Sequence, residues 1–147
     1  VMFKFSLQSV LDLRERNEQL KMKEFGQAAS VEQAIKDEIA RIHQEMELAD
    51  QQRNQDKRQG RFSIDQLRMA EAFRSRMKNA LLKCKDELLQ AEKIVAERRG
   101  ELLEATKKKK MLESLKENET KKYWAKIASR EQAQMDEFAQ QQFFKNK

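Results

Sequence analysis

The 147-residue chain has no proline, three glycines, one cysteine and one histidine. Sandwiches and barrels of short strands need turn residues at intervals of roughly 8–12 positions, and these are missing. A single cysteine, Cys84, closes no internal disulfide, which fits a reducing compartment. Cys84 and His43 supply no zinc spacing, and a nucleophile–base pair would need a rigid pocket to hold it. The sequence contains neither GxGxxG nor GxxxxGK, so no glycine-rich phosphate loop is built. No stretch of about 18 apolar residues exists to span a membrane. Residues 2–7 lack the apolar core of a signal peptide, and the expectation is a cytoplasmic protein. No enzyme activity, cofactor, metal or small-molecule substrate is expected.

What is present is charge mixed with single apolar residues. Charged residues make up 38% and hydrophobic residues 39%, too apolar for wholesale disorder and too interrupted for a globular core. The abundance of Ala, Glu, Lys, Leu and Arg is that of a long helix or coiled coil. The 31 Lys and Arg exceed the 25 Asp and Glu, giving a net charge of +6. The two signs are interspersed over most of the chain, as on solvated helix faces.

The first periodic stretch includes Leu7, Val10, Leu11, Leu13, Leu20, Phe25, Ala28, Val31, Ile35, Ile39, Ile42, Met46 and Ala49. Most steps are three or four, which predicts an amphipathic helix over about 6–58. The stripe fades into a polar run ending at Gly60. Ser63 followed by Gln66 then forms a capping box: the Ser hydroxyl accepts from the Gln66 amide, and the Gln66 side chain reaches back. Phe62 and Leu67 flank it at staple positions. A bend over about 59–63 and a second helix over about 64–141, with a frayed tail, follow.

The second seam reads Leu67, Ala70, Met77, Leu81, Cys84, Leu88, Ala91, Val95, Leu102, Ala105 and Leu112. Its alternating steps are those of a left-handed coiled coil, with Arg74, Arg98 and Lys109 at seam positions. Beyond Leu112 the frame is expected to slip through Leu115 and resume at Trp124, Ile127, Met135 and Phe138. The short connection favours antiparallel neighbours. The expected fold is therefore all-α: a single coiled-coil domain, an antiparallel two-helix hairpin with the second helix longer. Rises of about 1.5 Å per residue give helices of roughly 75–80 Å and 110–115 Å, with an overhang of up to about 30 Å. The overhang would carry Tyr123, Trp124, Ile127, Met135, Phe138, Phe143 and Phe144 with nothing to pack on.

The one basic block is Lys107-Lys108-Lys109-Lys110. Four consecutive lysines point all round a helix and can neutralise phosphates, yet no aromatics are interleaved as single-strand binding favours. Met46, Phe73 and Met77 could form a small apolar patch near the bend.

The opening Phe3-Lys4-Phe5-Ser6-Leu7-Gln8-Ser9-Val10-Leu11-Asp12-Leu13-Arg14-Glu15 resembles that of the FliJ family, small coiled-coil proteins of the bacterial flagellar type III export apparatus. The segment Gln134-Met135-Asp136-Glu137-Phe138-Ala139 is similar to that family's C-terminal motif. Length, the polar gap near Gly60 and two unequal helices agree, so the resemblance covers essentially the whole chain. It implies a non-enzymatic stalk resembling the rotary ATPase γ subunit. Implied partners are the hexameric flagellar export ATPase, the cytoplasmic domain of the membrane export gate, and export chaperones. The implied location is cytoplasmic, peripheral at the cytoplasmic face of the inner membrane.

Carried onto matching positions, the resemblance puts the ATPase-binding end at Leu7, Val10, Leu11, Leu13 and Arg14, with Arg130, Met135, Asp136, Glu137 and Phe138. It puts the gate-binding surface at Ile39, Ile42, Met46, Phe73, Met77 and Ala80. Where relatives carry tyrosines in that region, this chain has Met, Ala or Gln. The alternative is a basic coiled-coil spacer or dimer that binds nucleic acid through residues 107–110 with Arg98 and Arg99.

Overall fold

The computed structural model describes residues 2–146. It is all-α, with no strand among the described residues: α1 spans Gln8–Arg58 and α2 spans Ile64–Lys145. The two helices pack against each other as an antiparallel hairpin, and α2 is the longer at 82 residues against 51. Helix α2 stays helical to Lys145, past the expected end near 141. Its last residues contain no Gly or Pro to break it.

The reversal between the helices is fixed by local chemistry. Gly60 sits at φ 72°, the left-handed conformation that glycine adopts without penalty. The Gly60 amide donates to the Lys57 carbonyl (3.2 Å) and the Arg61 amide to the Asp56 carbonyl (2.9 Å), the Schellman pattern that closes a helix end. The Lys57 ammonium lies 5.3 Å from the Phe62 ring centre. Both halves of the capping box form: the Ser63 amide donates to Gln66 Oε1 (3.0 Å), and the Gln66 amide to Ser63 Oγ (3.2 Å). These contacts satisfy backbone groups that a helix end otherwise leaves unpaired.

The chain divides into two compact units, each drawing on both helices. One is Lys21–Leu102, which contains the bend; the other joins residues up to Leu20 with those from Leu103 onward.

In the bend-containing unit the least exposed positions of α1 include Phe25, Ala28, Glu32, Ile35, Ile39, Ile42, Met46 and Ala49, at alternating steps of three and four. Facing them, Cys84, Ala91 and Val95 of α2 are buried. Small side chains there let the helices approach closely, and Ile42, only 2% exposed, is the best enclosed. Val31, read as part of the stripe, lies outside it and is exposed, while Glu32 takes the seam position. The seam carries cross-helix ion pairs, Lys21–Glu101 and Asp50–Arg74, both 3.4 Å.

In the other unit, Leu11 of α1 and Ala105 of α2 are both buried at the seam. Phe5, preceding the helix, is also buried. Phe3 sets its ring 5.3 Å from that of Tyr123. Tyr123 therefore does not belong to an uncovered overhang, because the segment before α1 reaches it. The seam of α2 keeps its frame past Leu112 through Lys116, Glu119, Thr120 and Tyr123 to Ile127. Leu115 and Trp124 are exposed outside it, so the expected slip through them does not occur. Every described residue from 128 to 146 is exposed, a helical length of roughly 27 Å.

Candidate functional site

Two kinds of surface are built by these packing rules: a groove near the bend and an exposed helix end. The groove, about 240 Å³, is an apolar hollow of Met46, Ala49, Met69, Ala70 and Phe73, edged by Asp50, Arg53 and Arg74. Asp50 holds both cations, lying 3.3 Å from the Arg53 guanidinium as an ion pair and accepting a hydrogen bond from Arg74 at 3.4 Å. Antiparallel pairing about the bend explains why these groups meet, since Asp50 and Arg74 lie twelve residues to either side of Phe62. The Arg53 Nε is buried and makes no hydrogen bond. Such a hollow accepts an apolar side chain, and the guanidinium edge favours an acidic neighbour on the same ligand.

Of the residues assigned to a gate-binding surface, Met46 and Phe73 line this groove. Ile39, Met77 and Ala80 are half-buried, and Ile42 is enclosed in the seam, where it supports the surface from beneath. Ala49, Met69, Ala70 and the Arg–Asp–Arg edge were not singled out as groove residues from sequence. The signal for them was the equal spacing of Asp50 and Arg74 from the bend.

The residues assigned to an ATPase-binding end fall into two patches. On α1, Val10 and Leu13 form an outer surface with Ser9, Asp12 and Arg16. Leu7 is part-exposed and Arg14 half-buried. Leu11 turns the other way, toward a hollow edged by Glu15 and by Glu113, Lys116, Glu117, Thr120 and Lys121 of α2. On α2, Arg130, Asp136 and Glu137 are exposed, and Met135 and Phe138 are 68% and 63% exposed. Met135 and Phe138 share a shallow surface with Glu131, Gln134 and Ala139. Tyr123 marks the level of Phe3, and along the helix axis Arg130 lies about 10 Å and Phe138 about 22 Å beyond it. The α2 set thus lies beyond the start of α1, at a separate level from the α1 set.

The lysine block divides its roles. Lys109 occupies the seam and donates to Glu18 at 2.9 Å, with Glu113 3.6 Å away. Glu18 is buried, and its carboxyl is held below the usual carboxylate range, first by the Lys109 hydrogen bond and then by Thr106, against the opposing effect of burial. Lys109 is pushed up by the same Glu18 bond. Lys107, Lys108 and Lys110 are exposed. His43 is exposed and Cys84 buried, and no group of His, Cys, Asp or Glu among the described residues could hold a metal ion. Among the described residues no helix is long and apolar enough to cross a membrane.

The profile of the FliJ family, described as "Flagellar FliJ protein", matches residues 3–147. Comparison with curated proteins and with solved structures gives no match. The family match takes in both helices, the bend and the exposed end of α2, and the chain belongs to the FliJ family, components of the flagellar export apparatus.

Proposed function

We propose that this protein is the non-enzymatic stalk of the flagellar export apparatus. In this reading it binds the hexameric export ATPase, promotes ring assembly and hydrolysis, and contacts the cytoplasmic domain of the membrane export gate and export chaperones. It works in the cytoplasm, peripherally at the cytoplasmic face of the inner membrane. The observation that carries the reading is the exposed end of α2, residues 128–146, in a chain of this family. A helix end that exposes Met135 and Phe138 is suited to fill the interior of another protein. The bend-proximal groove is the candidate gate contact, with Phe73 and Met46 as apolar anchors and Arg53 as a donor with an unused Nε–H.

The test is ATP hydrolysis by the cognate export ATPase with and without this protein, read alongside hexamer content. Stimulation with more hexamer supports the stalk role. Absence of both binding and stimulation rejects it. Phe73→Ala separates the two surfaces: it should weaken gate binding by about tenfold, as expected for losing an apolar anchor, and leave ATPase stimulation intact. Equal loss of both interactions would refute the division.

A further inference from the structure

The face of α2 opposite the seam carries a feature that the stalk reading does not use. At 100° per residue, ten positions between Leu103 and Ala125 fall within about 60° of Lys107. All ten are exposed. Four of them are lysines: Lys107, Lys110, Lys121 and Lys122. One is acidic, Glu104. Between the lysines stand Leu103 and Met111, 56% and 72% exposed, with only the small Ser114, Asn118 and Ala125 beside them. The acids near this face do little to cancel it. Lys107 is 4.0 Å from Glu104, and Lys121 is 3.2 Å from Glu117, in pairs whose side chains are mostly solvated. Such surface pairs are weak and exchange readily. Lys122 makes no ion pair among the described residues.

We propose that this face, about 33 Å long, docks on an anionic lipid surface. A plane meets one side of a helix only, and this side gathers four cations over a single acid. Exposed Leu and Met beside lysines match an interfacial helix, whose long apolar side chains enter the headgroup boundary while the ammonium groups stay among the phosphates. Nucleic acid fits less well. It would use Leu103 and Met111 for nothing, and the face has neither the arginine forks nor the aromatic platforms that phosphates and bases reward. The seam side of α2 is covered in this segment, and the lysine face lies opposite it, exposed along its whole length. The proposal does not rest on the stalk reading, because vesicle binding and ATPase stimulation are separate measurements.

The experiment is co-sedimentation of the full chain with vesicles of about one-third phosphatidylglycerol in phosphatidylcholine, against pure phosphatidylcholine, at physiological salt. Binding is expected only to the anionic vesicles. Each lysine at such a surface contributes about a fivefold factor, so a Lys107→Gln, Lys110→Gln, Lys121→Gln, Lys122→Gln variant should bind about 600-fold more weakly. A variant with Lys78, Lys83, Lys85 and Lys93 changed to Gln removes the same charge from another stretch of α2 and should bind nearly as well as the parent. Met111→Gln should weaken vesicle binding a few-fold and leave binding to a short DNA duplex unchanged. Helical circular dichroism confirms that each variant is folded. Equal binding to both vesicle types, or none, overturns the proposal, as do equal losses in the two lysine variants. Preferential capture of duplex DNA at physiological salt, indifferent to Met111, would make nucleic acid the ligand instead.

Discussion

The bend-containing unit and the unit holding the N-terminus use the same helix pair to different ends. In the first, isoleucines on α1 meet small residues on α2, and most large apolar side chains at seam positions are half-buried or better. In the second, the seam takes in Arg14, Glu18, Lys109, Lys116 and Thr120. Beside the buried Phe5 and Leu11, it leaves Leu13, Met111, Trp124, Met135 and Phe138 well exposed. Apolar area removed from water is the main favourable contribution to folding, and in the bend-containing unit the continuous apolar seam around Ile42 supplies it. A polar seam held by ion pairs specifies register at little net gain, since desolvation offsets much of the attraction.

The largest expected effect breaks this contrast at its strongest point. Ile42→Ala should cost about 2–4 kcal/mol, because a side chain enclosed on all sides leaves a cavity. Leu11→Ala should fall near the low end of that range, about 2 kcal/mol, since Leu11 borders a hollow edged by polar side chains that water can enter. Urea unfolding of both variants measures the difference. Equal losses would mean that the two units are packed alike.

A smaller effect sharpens the contrast in the polar seam. Glu18→Gln should lower Tm by roughly 2–4 °C at pH 7. The folded carboxyl titrates below its ordinary value, so its contribution is complete above about pH 4.3 and is lost as pH falls through the depressed value. Lys109 is raised, so its share is complete below about pH 10.4 and is lost as pH rises beyond that. The Tm gap between parent and variant should therefore close at both ends of a pH series. A gap that persists unchanged at pH 3 would mean that Glu18 acts through packing and not through its charge.

These residues also show what was legible in the sequence. The bend was readable because its signals are local: Gly60 supplies the left-handed residue, and Ser63 with Gln66 supplies the cap. The antiparallel hairpin followed from the short connection. The seam was harder to read. Choosing apolar residues alone drew in Leu13, Leu20 and Val31, which are exposed, and moved the frame to Leu115 and Trp124. A continuous helix keeps its phase, so the strong apolar stretch around Ile35, Ile39 and Ile42 carries Glu32 and Lys21 into neighbouring seam positions. The same rule carries Lys116, Glu119 and Thr120 into the seam below Leu112. Burial of a charged residue depends on a partner some 80–90 positions away, as with Glu18 and Lys109, and periodicity within one helix does not contain that pairing.

The smallest expected change in stability is at the exposed end of α2, and it is the most informative about function. Met135→Ser combined with Phe138→Ser should leave Tm within about 1 °C of the parent, since surface changes away from packed features cost little. If residues 128–146 serve the ATPase, the same variant should lose most of its stimulation of hydrolysis while binding the gate as before. Val10→Ser with Leu13→Ser, on the separate patch of α1, tests whether the ATPase reads both levels of the unit or only the free helix. Loss of stimulation from the α2 variant alone would place the contact on the exposed end of α2. A fall in Tm for the α2 variant would mean that Met135 and Phe138 are already covered in solution, and that the parent protein buries this end against a second copy of itself.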